Sequence, residues 1–133
     1  MECQRQLWNL SNKITLTYMK YTLDATHKKI GRLASEIALI LQNKKSVYYN
    51  PRLAGNDTVL VENIDKLDIP ATKLIQKIYH RHTGYMGHLK ELTLKQVFER
   101  SPEKVLRLAV SRMLPKNFLR AKRMKRLTIK RSV

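Results

Sequence analysis

Ten consecutive residues, Tyr79-His80-Arg81-His82-Thr83-Gly84-Tyr85-Met86-Gly87-His88, hold three of the chain's four histidines, two tyrosines, two glycines and an arginine. Imidazole and phenol rings stack on unpaired bases, and a guanidinium forks onto phosphate. The glycines let the backbone turn tightly and come close to a ligand. The segment reads as an RNA-binding loop acting through His80, Arg81, His82, Thr83, Gly84, Tyr85 and Gly87. A metal site is the rival, because His80-x-His82 places two imidazoles on one side of a strand. Zinc asks for a third and a fourth ligand, yet Cys3 is remote and no acid lies closer than Glu91. We therefore expect neither metal nor cofactor.

The second chemical feature is charge. From Lys104 to Val133 there are eleven Lys and Arg and no Asp or Glu, and nine of the eleven lie between Arg112 and Arg131. The whole chain carries 27 basic against 10 acidic residues in 133, a net charge of +17. Charge on that scale, against the ~2–8 units of a typical small soluble domain, calls for an outside polyanion. Nucleic acid is the simplest, since each seated Lys or Arg releases condensed counterions. The candidates are Arg112 and, on a tail helix from Lys116 to Arg131, Lys116, Arg120, Lys122, Arg123, Lys125 and Arg126. Arg acts there as a bidentate fork and Lys as a point charge. Lys28, Lys29 and Arg32 form a further group at the start of a helix, where the macrodipole disfavours cations. Lys44, Lys45 and Arg52 extend that surface.

Covalent catalysis finds little footing. The chain has no Gly-x-Ser-x-Gly elbow, no phosphate-cradling Walker loop and no Gly-x-Gly-x-x-Gly pattern. Asp24, Asp57, Glu62, Asp65 and Asp68 read as turn residues, or as partners for the excess of Lys and Arg. Two rivals from other classes are a nuclease using His80 and His82 as acid and base, and a DNA-binding regulator without evident helix-turn-helix spacing. No enzyme activity and no small-molecule substrate is expected.

These residues need a scaffold. Lys20–Asp24 reads as a strand and Ile30–Gln42 as a helix, with apolar residues at Ile30, Leu33, Ala34, Ile37, Ala38 and Leu41. Leu39 and Ile40 widen that face. Residues 43–57 carry turn signals, and the run from Thr58 to Glu62 suits a buried strand, extended or paired by Leu67 to Ile69 before Pro70. Lys73 to His82 is a third strand or an extended arm. Thr93-x-x-Gln96 fits a capping box, and Ser101-Pro102-Glu103 starts the next helix, with Val105, Leu108, Ala109 and Met113 on one face. Pro115 ends it. Phe118, Leu119 and Met124 dock a last short helix, and Leu127 to Ile129 form a final strand. Alternating strands and helices predict an α/β sandwich on a small, mainly parallel sheet.

With 43% hydrophobic residues and only four Gly and four Pro, the chain has material for a packed core. The single cysteine fits a reducing compartment. No run approaches the roughly eighteen apolar residues of a membrane span, so no membrane partner is expected. Residues 1–18 read as a disordered extension and residues 19–133 as one domain.

Several of these motifs resemble one family. Leu23-Asp24-Ala25-Thr26 followed by Gly31-Arg32-Leu33-Ala34 resembles the opening of the ribosomal protein L-thirteen family of the large subunit. Asn63-Ile64-Asp65-Lys66-Leu67 resembles its middle strand end. The stretch from Tyr79 to Leu127 resembles its signature half, with a His-Thr-Gly loop, a Pro-Glu-Lys helix start and a Met-Leu-Pro break. The likeness runs in order from about Met19 to Ile129. It implies a three-layer α/β/α sandwich around a four-stranded, mainly parallel sheet, with a basic C-terminal helical tail. It implies binding to large-subunit ribosomal RNA, support of its folding and of subunit assembly, and neighbouring ribosomal proteins as further partners. The expected setting is the large subunit of a cytoplasmic ribosome, an organellar one being the alternative. The family usually carries Gly where this chain has Arg112, and often where it has Arg120, so both arginines add phosphate-binding charge.

Overall fold

The computed structural model describes residues 19–47 and 49–132; the extension expected over residues 1–18 lies outside them. The elements run β1 (Lys20–Asp24), α1 (Ile30–Leu41), β2 (Thr58–Glu62), a 3-10 turn (Ile64–Lys66), α2 (Ala71–Gln76), β3 (Ile78–His82), β4 (Leu89–Thr93), α3 (Leu94–Arg100), α4 (Pro102–Met113), α5 (Leu119–Met124) and β5 (Leu127–Ile129).

The mainly parallel sheet is present, with three strands rather than four, in the order β1-β2-β5. Lys20 faces Thr58 at one end of the β1–β2 register, and Val59 faces Leu127 in β2–β5. Val59, Leu60 and Val61 are consecutive and all buried. Side chains alternate across a strand, so both faces of β2 are covered, as in parallel sheets generally. The remaining two strands form a separate antiparallel hairpin, β3–β4. Neither strand has a buried face and most of the residues stay exposed, though Tyr79 packs half-buried against the small apolar cluster of Leu94, Val97 and Val105.

The main core gathers Leu33, Ile37 and Leu41 of α1, Val59 and Val61 of β2, Leu106 and Val110 of α4, and Leu127 of β5. Burying side chains of this size contributes roughly 1.5–3 kcal/mol each. Along α1 the expected face is buried at Leu33, Ala34, Ile37, Ala38 and Leu41, and Ile40 joins it. Leu39 does not, because its direction on the helix points to solvent. Along α4 the buried set is Val105, Leu106 and Val110; Leu108 and Ala109 are half-buried and Met113 is exposed. The core-facing stripe is thus rotated from the expected one, since α4 packs mainly on α1 and α3.

Three local expectations change. Leu67 to Ile69 add no strand; a lone parallel bridge joins Lys29 and Asp68 instead. Pro70 opens a helix where a strand end was expected, so Lys73 to Gln76 are helical and only Ile78–His82 is strand. Pro70 is the N-cap, with φ −56° and ψ 137°, so it precedes the first helical residue, and its missing N–H breaks no helical bond there. Ser101 precedes α4 without a side-chain capping bond, although Pro102 and Glu103 occupy the first turn as read. The Thr93 capping box is complete: the Gln96 N–H donates to Thr93 Oγ1 at 3.4 Å and the Thr93 N–H to Gln96 Oε1 at 3.2 Å.

The basic C-terminal segment is no continuous tail helix. It divides into α5 and β5, with Leu119, Leu127 and Ile129 buried, while Phe118 stays exposed. Those three apolar anchors pull residues 119–129 onto the domain.

Candidate nucleic-acid interface

The hairpin holds its chemistry away from the core. In the β3–β4 register His80 faces Glu91, Arg81 faces Lys90 and His82 faces Leu89. His80 Nδ1 lies 3.2 Å from Glu91 Oε1, both side chains about half exposed. The Thr83 N–H and hydroxyl both donate to the His88 carbonyl, at 3.3 and 3.2 Å, and the His88 N–H donates to the Tyr85 carbonyl. The Gly84 N–H donates to His82 Nδ1 at 3.1 Å, which puts the proton of a neutral His82 ring on Nε2. Gly84 and Gly87 take φ of 98° and 71°, left-handed values that side chains resist. The loop therefore closes on itself and presents Tyr85, 76% exposed, and Met86, 98% exposed, at its tip. The Tyr85 and His88 rings meet edge to face at 6.4 Å.

At the hairpin base, Lys77 Nζ and Arg112 Cζ lie 5.6 and 5.9 Å from the centre of the half-buried Tyr79 ring. Burial raises the Tyr79 hydroxyl's pKa, with Arg112 opposing, so the ring stays neutral. Arg112 joins the hairpin through Tyr79 rather than joining the C-terminal cations. Lys73 and Lys77 were not read from the sequence as site residues; the signal was Pro70, which turns residues 71–76 into a helix beside Arg112.

A second group forms around α1. Lys28 and Lys45 each approach Glu36 at 3.9 Å, and Lys45 also sits 5.6 Å from the Tyr21 ring centre. Exposed pairs of this kind contribute ~0–1 kcal/mol, so both ammonium groups remain available to a stronger anion. Lys29, Arg32, Lys44 and Arg52 are exposed and carry no ion pair among the described residues. Asp24 accepts from the Thr26 N–H and hydroxyl and from Asn63 Nδ2. Those hydrogen bonds lower its pKa to about 2 and tie the turn before α1 to the end of β2.

The third group splits. Lys116, Lys122 and Lys125 are exposed and Arg120 is half-buried. Arg123 is only 2% exposed and points inward. Its Nη2 donates to the Leu53 carbonyl at 3.0 Å and its Nε to the Ala54 carbonyl at 3.4 Å. Arg126 Nη2 donates to the carbonyls of Ala54 and Leu41, and burial lowers its pKa. These two arginines fasten the loop after α1, which bears Lys44, Lys45 and Arg52. Gly55 permits the close fit: its φ is +78°, and an added Cβ would lie 3.0 Å from Asn43 Cβ. The sequence could not separate them from their neighbours, since all seven candidates share charge and only tertiary packing sorts them.

Among the described residues no three His, Cys, Asp or Glu converge as metal ligands. No described helix is long and apolar enough to cross a membrane. The scaffold is a small α/β domain with separate groups of exposed cations, one of them at the base of a closed, ring-bearing loop. The chain belongs to the Ribosomal protein L13 family, whose model matches residues 19–131. It is 50% identical over 111 residues to the large ribosomal subunit protein uL13 of Aquifex aeolicus, covering 84% of this chain and 77% of that protein. The protein of the same name from Clostridioides difficile is 45% identical over 109 residues, covering 82% and 76%. That of Chloroflexus aggregans is 43% identical over 109 residues, covering 82% and 76%.

Proposed function

We propose that this chain is a structural constituent of the large ribosomal subunit, binding its ribosomal RNA and supporting RNA folding and subunit assembly. The carrying observation is the family match across residues 19–131, nearly all of the folded part. The surface chemistry supports the same reading. Lys29, Arg32, Lys44 and Arg81 are exposed cations without carboxylate partners among the described residues, suited to phosphate, and Lys28 and Lys45 are only weakly held. His80, His82, Thr83, Gly84, Tyr85 and Gly87 build the loop that meets RNA by shape, stacking and 2′-hydroxyl contact. Lys116, Arg120, Lys122 and Lys125 supply further phosphate contacts. Arg123 and Arg126 act indirectly by fixing the loop at residues 53–54. Contacts of this kind position RNA without reading bases. Neighbouring ribosomal proteins complete the partners, and a three-layer sandwich, supported by the two covered faces of β2, is part of the same reading.

Expression of a tagged chain in a bacterium followed by sucrose-gradient sedimentation tests this. The chain should travel with the large subunit and stay there after a moderate-salt wash. Sedimentation with free protein, or with the small subunit, would overturn the proposal.

A further inference from the structure

Beside the hairpin base runs an open groove of about 420 Å³, between the first turn of α1, α2 and α4. That volume lies within the ~300–1,000 Å³ typical of ligand sites. Ile69, Leu94, Val105 and Ala109 line it, and Lys73, Lys77 and Arg112 stand around it. Among the described residues no Asp or Glu lines the groove, and none of the three cations has an ion pair. Gly31 is the second observation. It is helical and exposed, and a Cβ built there meets nothing within 4 Å. The fold thus gives no reason for glycine, which weakens a helix relative to alanine. Gly31 is itself part of the groove lining, so a bulky side chain there would narrow it.

We infer that the groove receives one unstacked nucleotide of RNA, its base against the apolar floor and its flanking phosphates on Lys73, Lys77 and Arg112. A nucleotide joins a flat, largely apolar body to an anion one sugar away, which matches an apolar floor ringed by cations with no carboxylate partner among the described residues. Bases splayed from loops and bulges are what proteins grip in single-stranded RNA. Gln76, also on the lining, brings the amide that can hydrogen-bond a base edge. The inference rests on the RNA-binding reading and adds one specific contact to it.

The test uses the full chain, an eight-nucleotide RNA of mixed sequence, and the same backbone with its four central bases removed. Wild type should prefer the base-bearing RNA by at least ~5-fold, the scale of one stacked base. Gly31→Leu should abolish that preference while leaving the salt dependence of binding unchanged, and Gly31→Ala should keep most of it. Both variants should melt no lower than wild type, because the space is open and glycine is replaced in a helix. Equal binding of the two RNAs by wild type, with steep salt dependence, would overturn the groove inference and leave RNA binding intact. No binding to either RNA would overturn both. Amide and methyl NMR shifts at Gly31 and Met113 with an Asp-flanked Leu-Phe peptide, but with neither RNA, would instead assign the groove to a protein partner.

Discussion

Replacing Arg123 by alanine should destabilise the domain, although Arg123 sits in the most basic stretch of the chain. Two stem methylenes, Cγ and Cδ, leave the core at ~0.8 kcal/mol each. The Leu53 carbonyl loses its charged donor, at a cost of roughly 1.5–3 kcal/mol, while Ala54 keeps its bond from Arg126. Relief of the desolvated guanidinium offsets part of this, because a buried charge costs several kcal/mol. The net loss is about 3 kcal/mol, or a fall of roughly 10 °C in Tm for a domain of this size. Thermal unfolding by circular dichroism reads it directly. Lys122→Ala and Lys125→Ala, on either side, should change stability by less than ~0.5 kcal/mol. Each should flatten the log–log salt slope of RNA binding by ~0.7–0.9, whereas Arg123→Ala should not. An Arg123→Ala protein with unchanged Tm and a flattened slope would refute the structural role assigned to this side chain.

Other outcomes follow from particular contacts. Thr93→Ala removes the side-chain half of the capping box, the acceptor for the Gln96 N–H, and should cost about 1 kcal/mol in denaturant unfolding. Gly55→Ala should cost more than ~1 kcal/mol, since it combines a left-handed backbone with a Cβ forced against Asn43. Asp24 should titrate in the folded protein near pH 2, followed by carboxyl NMR, and Asn63→Ala should move it back toward 3.8. Its folded pKa lies below its unfolded one, so its stabilising contribution is present above about pH 3.8 and is lost as pH falls toward about 2.

Much of the scaffold was legible because its signals are local. The 3.6-residue spacing from Ile30 to Leu41, the apolar run in β2 and the Thr93 capping box each declare one element. The final strand at Leu127–Ile129 was visible for the same reason. What was hidden depends on partners distant in sequence. Lys73 to Gln76 alternate loosely enough to pass for strand, and Pro70 decides for a helix only with its neighbours in place. Hairpin strand β4 went unread because Lys90 and Glu91 interrupt any apolar alternation, and its partner supplies the ladder. In the candidate site, the hairpin loop was read from its rings and glycines, and the structure gathers them. Sorting Arg123 and Arg126 from the exposed lysines needed the carbonyls of residues 41, 53 and 54, which no spacing rule reveals.

The most direct test of the central claim is the salt dependence of binding to large-subunit ribosomal RNA. It compares wild type with a variant carrying glutamine at Lys29, Arg32, Lys44, Arg81, Lys122 and Lys125. All six are exposed and none takes part in an ion pair among the described residues, so the fold should survive. Six lost phosphate contacts should flatten the slope of log K against log salt by roughly 4–5. An unchanged slope in a folded variant would mean that these cations do not seat on phosphate, and would contradict the account.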